Sequence, residues 1–268
     1  MNDQQPASAA PRAPSLLMDG YVSNMLTPAV VEYYFTCLLK VPSSTLAPIW
    51  NVPQWPGAAF ITQTHTSRPL VVTHHRQPLW LLDYVVVGRY GTVIPQRLWI
   101  PHSVTDQQQY VAESQLEMPV FFVHTNGALG VSLVDATAGN CHSLRGFRDV
   151  APIGGRSSTH LRLSWPGYKD WKRQVQTRDE TPYRNPITLE RFVRLVGRSV
   201  DNFLVQCELD PVQHAPNWRI GGPNGINRND ITVIGVVHVS AGSWMPILQL
   251  SAATLRGSYS ERLEALCP

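Results

Sequence analysis

The sequence predicts an α+β fold, mainly antiparallel β-sheet, with a buried N-terminal helix and one long amphipathic helix packed on the sheet. Three observations predict it. Apolar residues recur at helical spacing from Leu189 to Cys207; short β-branched segments follow one another from Ala58 to Val134; and an almost wholly apolar helix opens at Thr27-Pro28. With 268 residues, 43% of them hydrophobic and 15% charged, the chain can bury a substantial core, and its 22 prolines make it rich in loops.

Residues 1–15 are mostly Ala, Pro, Gln and Ser and read as a flexible arm, with residues 16–268 as a single globular domain. The helix opened by Thr27-Pro28 runs to Lys40, apolar on nearly every side and too short to cross a bilayer, which suits burial under a sheet. Prolines between Val41 and Gly57 exclude long helix. Strands are then predicted at Ala58–Thr64, Leu70–His75, Leu79–Gly88, Val93–Ile100, Val120–Thr125 and Leu129–Val134, with Asn126-Gly127 as a hairpin turn because both residues tolerate positive φ. Cys141–Ser158 reads as irregular, Thr159–Ser164 as a strand ending at Trp165-Pro166-Gly167-Tyr168, and Lys169–Arg184 as a charged connection.

The helix from Leu189 to Cys207 is the best specified element. Leu189, Phe192, Val193, Val196, Val200, Phe203 and Leu204 form its apolar stripe, Thr188 caps its start, and Ile187 and Phe192 occupy the two places of a hydrophobic staple. Arg191, Arg194 and Arg198 run along the opposite face, with Glu190 spaced to partner Arg194. Asn217–Asn229 is a glycine-rich loop, Ile231–Val239 an apolar strand turned by Ser240–Ser243 into Trp244–Leu250, and Leu255–Leu266 a short closing helix.

The net charge of +3 is unevenly spread: Arg156 to Arg198 holds ten basic and four acidic residues, and the rest of the chain is net acidic. Four separated cysteines without a CxxC pair exclude a zinc ribbon and a dense disulfide framework. No apolar run reaches about 18 residues, so no membrane partner is expected, and the chain is placed in the cytosol or nucleus.

Trp165-Pro166-Gly167-Tyr168, Arg178-Asp179, Arg184-Asn185-Pro186-Ile187-Thr188 and His238-Val239-Ser240-Ala241-Gly242-Ser243-Trp244 resemble the motif set of a family of uncharacterised proteins of mushroom-forming fungi. The resemblance covers Met118 to Leu250. It implies a fungal intracellular protein and carries no activity onto these positions.

Three constellations remain. Arg191, Arg194 and Arg198, with Lys172, Arg173, Arg178 and Arg184 upstream and Trp171 and Tyr183 interleaved, suit a polyanion, since cations hold a phosphate backbone while rings stack on bases; a solvated helix face gives the same pattern. His65, His74 and His75 flank a turn but lack a defined fourth metal ligand. His238 lies near Ser240 and Ser243, yet Asp230 is eight residues away along the strand, too far to orient it; a satisfied strand histidine is the simpler reading. With no Walker loop, GxSxG elbow or HExxH, no catalytic residue, cofactor or metal is expected. The expectation is a non-enzymatic intracellular binding protein, its partner an acidic protein or nucleic acid, with polyanion binding through Lys172, Arg173, Arg184, Arg191, Arg194 and Arg198 as one alternative and a hydrolase-type enzyme with a His-centred site as another.

Overall fold

The computed structural model describes residues 19–40, 55, 57–61, 71–74, 76–88, 91–210 and 214–251. The expected arm (residues 1–15), His65, His75 and the closing helix at Leu255–Leu266 lie outside them. In chain order the elements are α1 (Tyr21–Leu26), α2 (Pro28–Leu39), β1 (Ala58–Ile61), β2 (Val71–His74), β3 (Gln77–Tyr84), α3 (Val104–Gln107, continued by a π-turn), β4 (Val120–Phe121), β5 (Val131–Ser132), α4 (Leu133–Ala138), β6 (Ser158–Leu163), β7 (Trp171–Gln176), α5 (Leu189–Cys207), β8 (Ile231–Ser240) and β9 (Ser243–Leu250). The fold class is α+β, with a three-stranded sheet ordered β1-β3-β2 and a larger one ordered β4-β8-β9-β6-β7, to which β5 adds on β8. All pairings are antiparallel except β6 with β9.

The larger sheet separates two cores. Along β8, Val233 and Val236 enter one core while Ile234, Val237 and Val239 enter the other, and β9 divides Trp244 and Leu248 from Met245 and Ile247 in the same way. An alternating strand apolar on both faces needs a roof on each. On the first face the roof is α5, whose Phe192, Val196, Val200 and Phe203 are fully buried, each contributing roughly 1.5–3 kcal/mol. Thr188 caps α5 as expected, its Oγ1 accepting the Arg191 amide at 3.3 Å. On the second face the roof is α1, α2 and the small sheet, with Tyr21, Tyr34, Phe35 and Phe60 buried beside Ile234 and Val237.

The N-terminal roof is fastened by one buried carboxyl. Asp83 on β3 accepts the Val22 amide at 3.1 Å, at the start of α1, and the Tyr84 amide at 2.8 Å. Burial pushes its pKa well up, while the amides of Tyr84, Val22 and Tyr21 pull it down. Tyr21 and Gln249 join this roof to β9 through a 3.1 Å hydrogen bond.

Several local expectations change. Val93–Ile100 is not a strand: Val93 makes a single bridge to Gln249, Ile94 donates to Leu248, and Pro95 then has no N–H to extend a ladder. The Gln96 side chain takes over, donating to Pro246 at 2.6 Å and accepting the Ser164 amide at 3.2 Å. Leu129–Val134 yields only β5, because Ser132 accepts the Asp135 amide at 3.0 Å and starts α4 instead. Part of Lys169–Arg184, expected as a connection, is β7. Thr27 does not cap α2 with its side chain; at φ 72° it is the corner that ends α1 and begins α2. Glu190 makes no ion pair with Arg194; Arg191 instead lies 3.9 Å from Glu180. Among the described residues no helix is long and apolar enough to cross a membrane.

Two glycines mark where elements approach too closely for a side chain. A Cβ on Gly235 would lie 2.3 Å from the Val120 carbonyl of β4. One on Gly197 in α5 would meet Ala136 Cβ at 2.8 Å, and α4 backbone atoms at 2.9 Å. Gly→Ala inside a helix ordinarily stabilises by about 1 kcal/mol. Gly197→Ala is expected to reverse that sign and destabilise by about 1–3 kcal/mol through overpacking, readable as a lower midpoint in chemical denaturation. At Asp83, Asn keeps an acceptor for the α1 amides and is expected to be tolerated, whereas Asp83→Ala leaves them unsatisfied and costs about 1–3 kcal/mol in the same measurement.

Candidate functional site

Where β6 turns into β7, the second face of the large sheet lacks a full roof. Thr159, Leu161 and Leu163 of β6 are buried in the first core, but the alternate residues Ser158, His160 and Arg162 are only half-buried. The face beside Arg162 opens into a cleft of about 940 Å³. One wall is the turn Trp165-Pro166-Gly167-Tyr168 with the start of β7, and the other is residues 95–102 with the α1–α2 corner.

The first wall is rigid for a visible reason. Trp165 is buried and donates its Nε1–H to the Trp218 carbonyl at 2.8 Å, and the Tyr168 hydroxyl oxygen accepts the Ile220 amide at 2.8 Å. Trp165, Tyr168 and Trp171 gather round Phe203 of α5 with ring centroids 5.9, 6.3 and 6.0 Å away. Trp171 also donates to Gln206 Oε1 at 2.6 Å. The apolar stripe of α5 thus sets the rings that frame the cleft.

Charge in the cleft is unbalanced. Asp170 uses both oxygens, one on Arg97 at 2.7 Å and the other accepting the Ser164 hydroxyl at 2.7 Å. Arg97 and Asp170 are largely exposed, so their pair contributes at most about 1 kcal/mol to stability; its effect here is to neutralise the one acid of the lining. Arg162 has no ion pair among the described residues. Its guanidinium lies 3.6 Å over the Trp99 ring and its Nε–H donates to Ser243 Oγ at 2.9 Å. Burial lowers its pKa, with Asp170 opposing. Lys172, directly across from Arg162 in the β6–β7 register, adds a second cation, and His102 lies exposed in the lining. A half-buried guanidinium stacked on a tryptophan, without an ion pair of its own, is suited to an incoming anion, and the neighbouring rings to a flat apolar body.

Of the residues expected to bind a polyanion, Lys172 alone lines this cleft. Arg173 is exposed on β7, Arg184 is exposed with its carbonyl accepting from Arg178 at 3.1 Å, and Tyr183 projects into solvent. Arg191, Arg194 and Arg198 are exposed on α5. Sequence reasoning missed Arg97 and Arg162. The available signal was in β6, where polar Ser158, His160 and Arg162 alternate with apolar residues and so mark a face that no core closes.

His238 is not part of a reaction centre, and the His124–Ser143 contact, Nδ1 to Oγ at 2.8 Å, lies outside the cleft. His238 Nδ1 accepts the Glu117 amide at 2.8 Å, and its ring stacks on Trp244 at 4.4 Å and 11°. Asp230 sits at the far end of β8, accepting the Asn227 amide at 2.9 Å in a capping box, and Ser243 is held by Arg162. The Ser–His–Asp alignment is therefore not formed. No cluster of three or more His, Cys, Asp or Glu able to hold a metal exists among the described residues. Comparison with protein-family models, with curated proteins and with solved structures finds no match to this chain.

Burial, with Arg156 adding to it and the Ser240 backbone opposing, pulls the His238 pKa from 6.5 down to about 3. The unfolded chain binds a proton here below about pH 6.5, whereas the folded chain does so only near pH 3. Stability from this group is thus complete above pH 6.5 and falls with acidification, at about 1.4 kcal/mol per pH unit within that window. Denaturant melts between pH 7 and pH 4 are expected to show this loss. His238→Phe starts lower at pH 7, having lost the acceptor for Glu117, and follows a shallower slope.

Proposed function

We propose that this chain is a non-enzymatic binding protein whose cleft takes a small anion carrying a flat ring, with a nucleotide as the ligand class. Arg162 is the observation that carries the reading: a guanidinium kept half-buried on Trp99, with no ion pair among the described residues because nearby Asp170 is bonded to Arg97 and Ser164, gains most when an anion arrives. The cleft volume of about 940 Å³ suits a small molecule. Half-buried Tyr168 and Trp171 provide ring surface close by, and Lys172 offers a second contact for phosphate. Binding is favoured over turnover because His102, the histidine of the lining, shares no hydrogen bond with Ser164 or Asp170, the hydroxyl and carboxylate of the same cleft. The cytosol or nucleus is the proposed compartment, a placement supported by the buried free thiols of Cys37, Cys141 and Cys207.

A polyanion reading draws on the exposed row Arg191, Arg194 and Arg198, and the two can be separated. Tryptophan fluorescence titrated with adenosine monophosphate and with a single-stranded oligonucleotide provides the test. Quenching by the mononucleotide, weakened at least tenfold by Arg162→Gln, is the expected result. Failure of the mononucleotide to bind, or indifference to Arg162→Gln, overturns the cleft reading. Changing Arg191, Arg194 and Arg198 together to Glu is expected to weaken the oligonucleotide alone and to flatten its salt dependence.

A further inference from the structure

The last strand of the large sheet, β7, pairs with β6 through six consecutive residue pairs without a bulge, and among the described residues no strand pairs with its other edge. Lys172, Arg173, Gln174 and Gln176 are exposed. A strand in this position presents alternate backbone N–H and C=O groups outward, unpaired, as a template for another strand. Proline, a bulge or very short length would close the edge to any strand, and β7 has none of them; its guard is charge alone, Lys172 and Arg173, which turns away cationic strands but not acidic ones. At the opposite end of the sheet β4 is only two residues long and buried.

Charge selects the occupant. No acidic residue lies within β7, and Lys169 precedes it while Arg178 follows. The two nearest carboxylates are already engaged. Asp170 is held by Arg97 and Ser164, and Asp179 is held by Thr181 and Asn185, whose hydrogen bonds lower its pKa. A second copy of the chain would bring Lys172 and Arg173 against the same cations, so self-pairing is disfavoured. Successive strand residues point to opposite faces, which places Lys172 on the cleft side and Arg173 on the α5 side. An acidic strand with neighbouring carboxylates reaches both.

We propose that the edge of β7 left unpaired among the described residues receives an extended acidic segment of a partner protein, which adds a further antiparallel or parallel strand beside β7. Main-chain hydrogen bonds hold the segment, and Lys172 and Arg173 select its charge. This surface is distinct from the nucleotide cleft and shares Lys172 with it.

A dye-labelled, eight-residue peptide alternating glutamate and valine, followed by fluorescence anisotropy with the full chain, tests the proposal. Expected are saturable binding that weakens with salt, and new hydrogen-exchange protection of alternate amides between Lys172 and Gln176. N-methylation of the peptide on one alternate set of residues abolishes binding, while the other set leaves it intact. Arg173→Glu, at an exposed position, weakens binding at least tenfold with an unchanged circular dichroism spectrum. Arg162→Gln leaves it unchanged, which separates failure here from failure of the cleft reading. Absence of binding, protection elsewhere than β7, or equal binding by both N-methylated forms overturns it.

Discussion

The burial of β8 on both faces is the constraint on which this architecture depends. Ile231 to Ser240 is almost continuously apolar, and nine of its ten residues are buried. A strand with that composition cannot face water on either side, so the chain supplies a cover before it and another beside it. α5 closes one face and the N-terminal helices with the small sheet close the other. The register shift around Gly235 follows from this demand: it re-phases β8 so that Val236 returns to the first core and Val237 to the second. Gly235 also lets the Val120 carbonyl approach where any Cβ would collide.

The two roofs are unequal in extent. α5 reaches the β6–β7 end, where Phe203 meets Trp165, Tyr168 and Trp171. The N-terminal roof stops short there, and β6, unlike β8 and β9, accordingly carries core residues on one side only. Arg162 stands at that boundary. Its aliphatic stem and stacked guanidinium cover sheet surface that a longer roof would have covered, while its charge stays available because Asp170 is already committed to Arg97. The cleft is thus a consequence of covering a wide sheet with a narrow second layer.

Legibility in the sequence tracked how local each determinant is. α5 was readable because its stripe, staple and Thr188 cap all lie within one short stretch, and β8 because nothing but a buried strand accounts for Ile231 to Val239. β7 was not, since Trp171, Arg173 and Val175 make a face only once Phe203 and Gln206 are beside it. α4 was hidden because Leu133 and Val134 continue the apolar run of β5, although Ser132 and Asp135 carried a cap signal. The strand expected at Val93–Ile100 failed on Pro95, a local rule that outweighed the surrounding apolar residues. His238 kept its simpler reading, as a satisfied strand histidine stacked on Trp244. Of the site Lys172 and Trp171 had been singled out but Arg97 and Arg162 had not, because these two come from segments whose meeting depends on the parallel contact of β6 with β9 and on the Gln96 bridge.

The surplus of positive charge between Arg156 and Arg198 acquires a meaning only through this topology. In sequence it is one basic stretch; in the fold β6, β7 and α5 carry it to different surfaces, with Arg162 in the cleft, Arg173 on the sheet edge and Arg191, Arg194 and Arg198 on the helix. Two of the four acidic residues of the same stretch are consumed locally, Asp170 by Arg97 and Asp179 by Thr181 and Asn185. What remains is cationic on each surface but differs in geometry. A concave, ring-lined pocket favours a compact anion, an open strand edge favours an extended chain, and a convex helix face offers only long-range attraction that salt screens within about 10 Å. Burial therefore ranks the three: Arg162, the least hydrated of these cations, has the most to gain from a specific partner and the least to lose when one displaces its water.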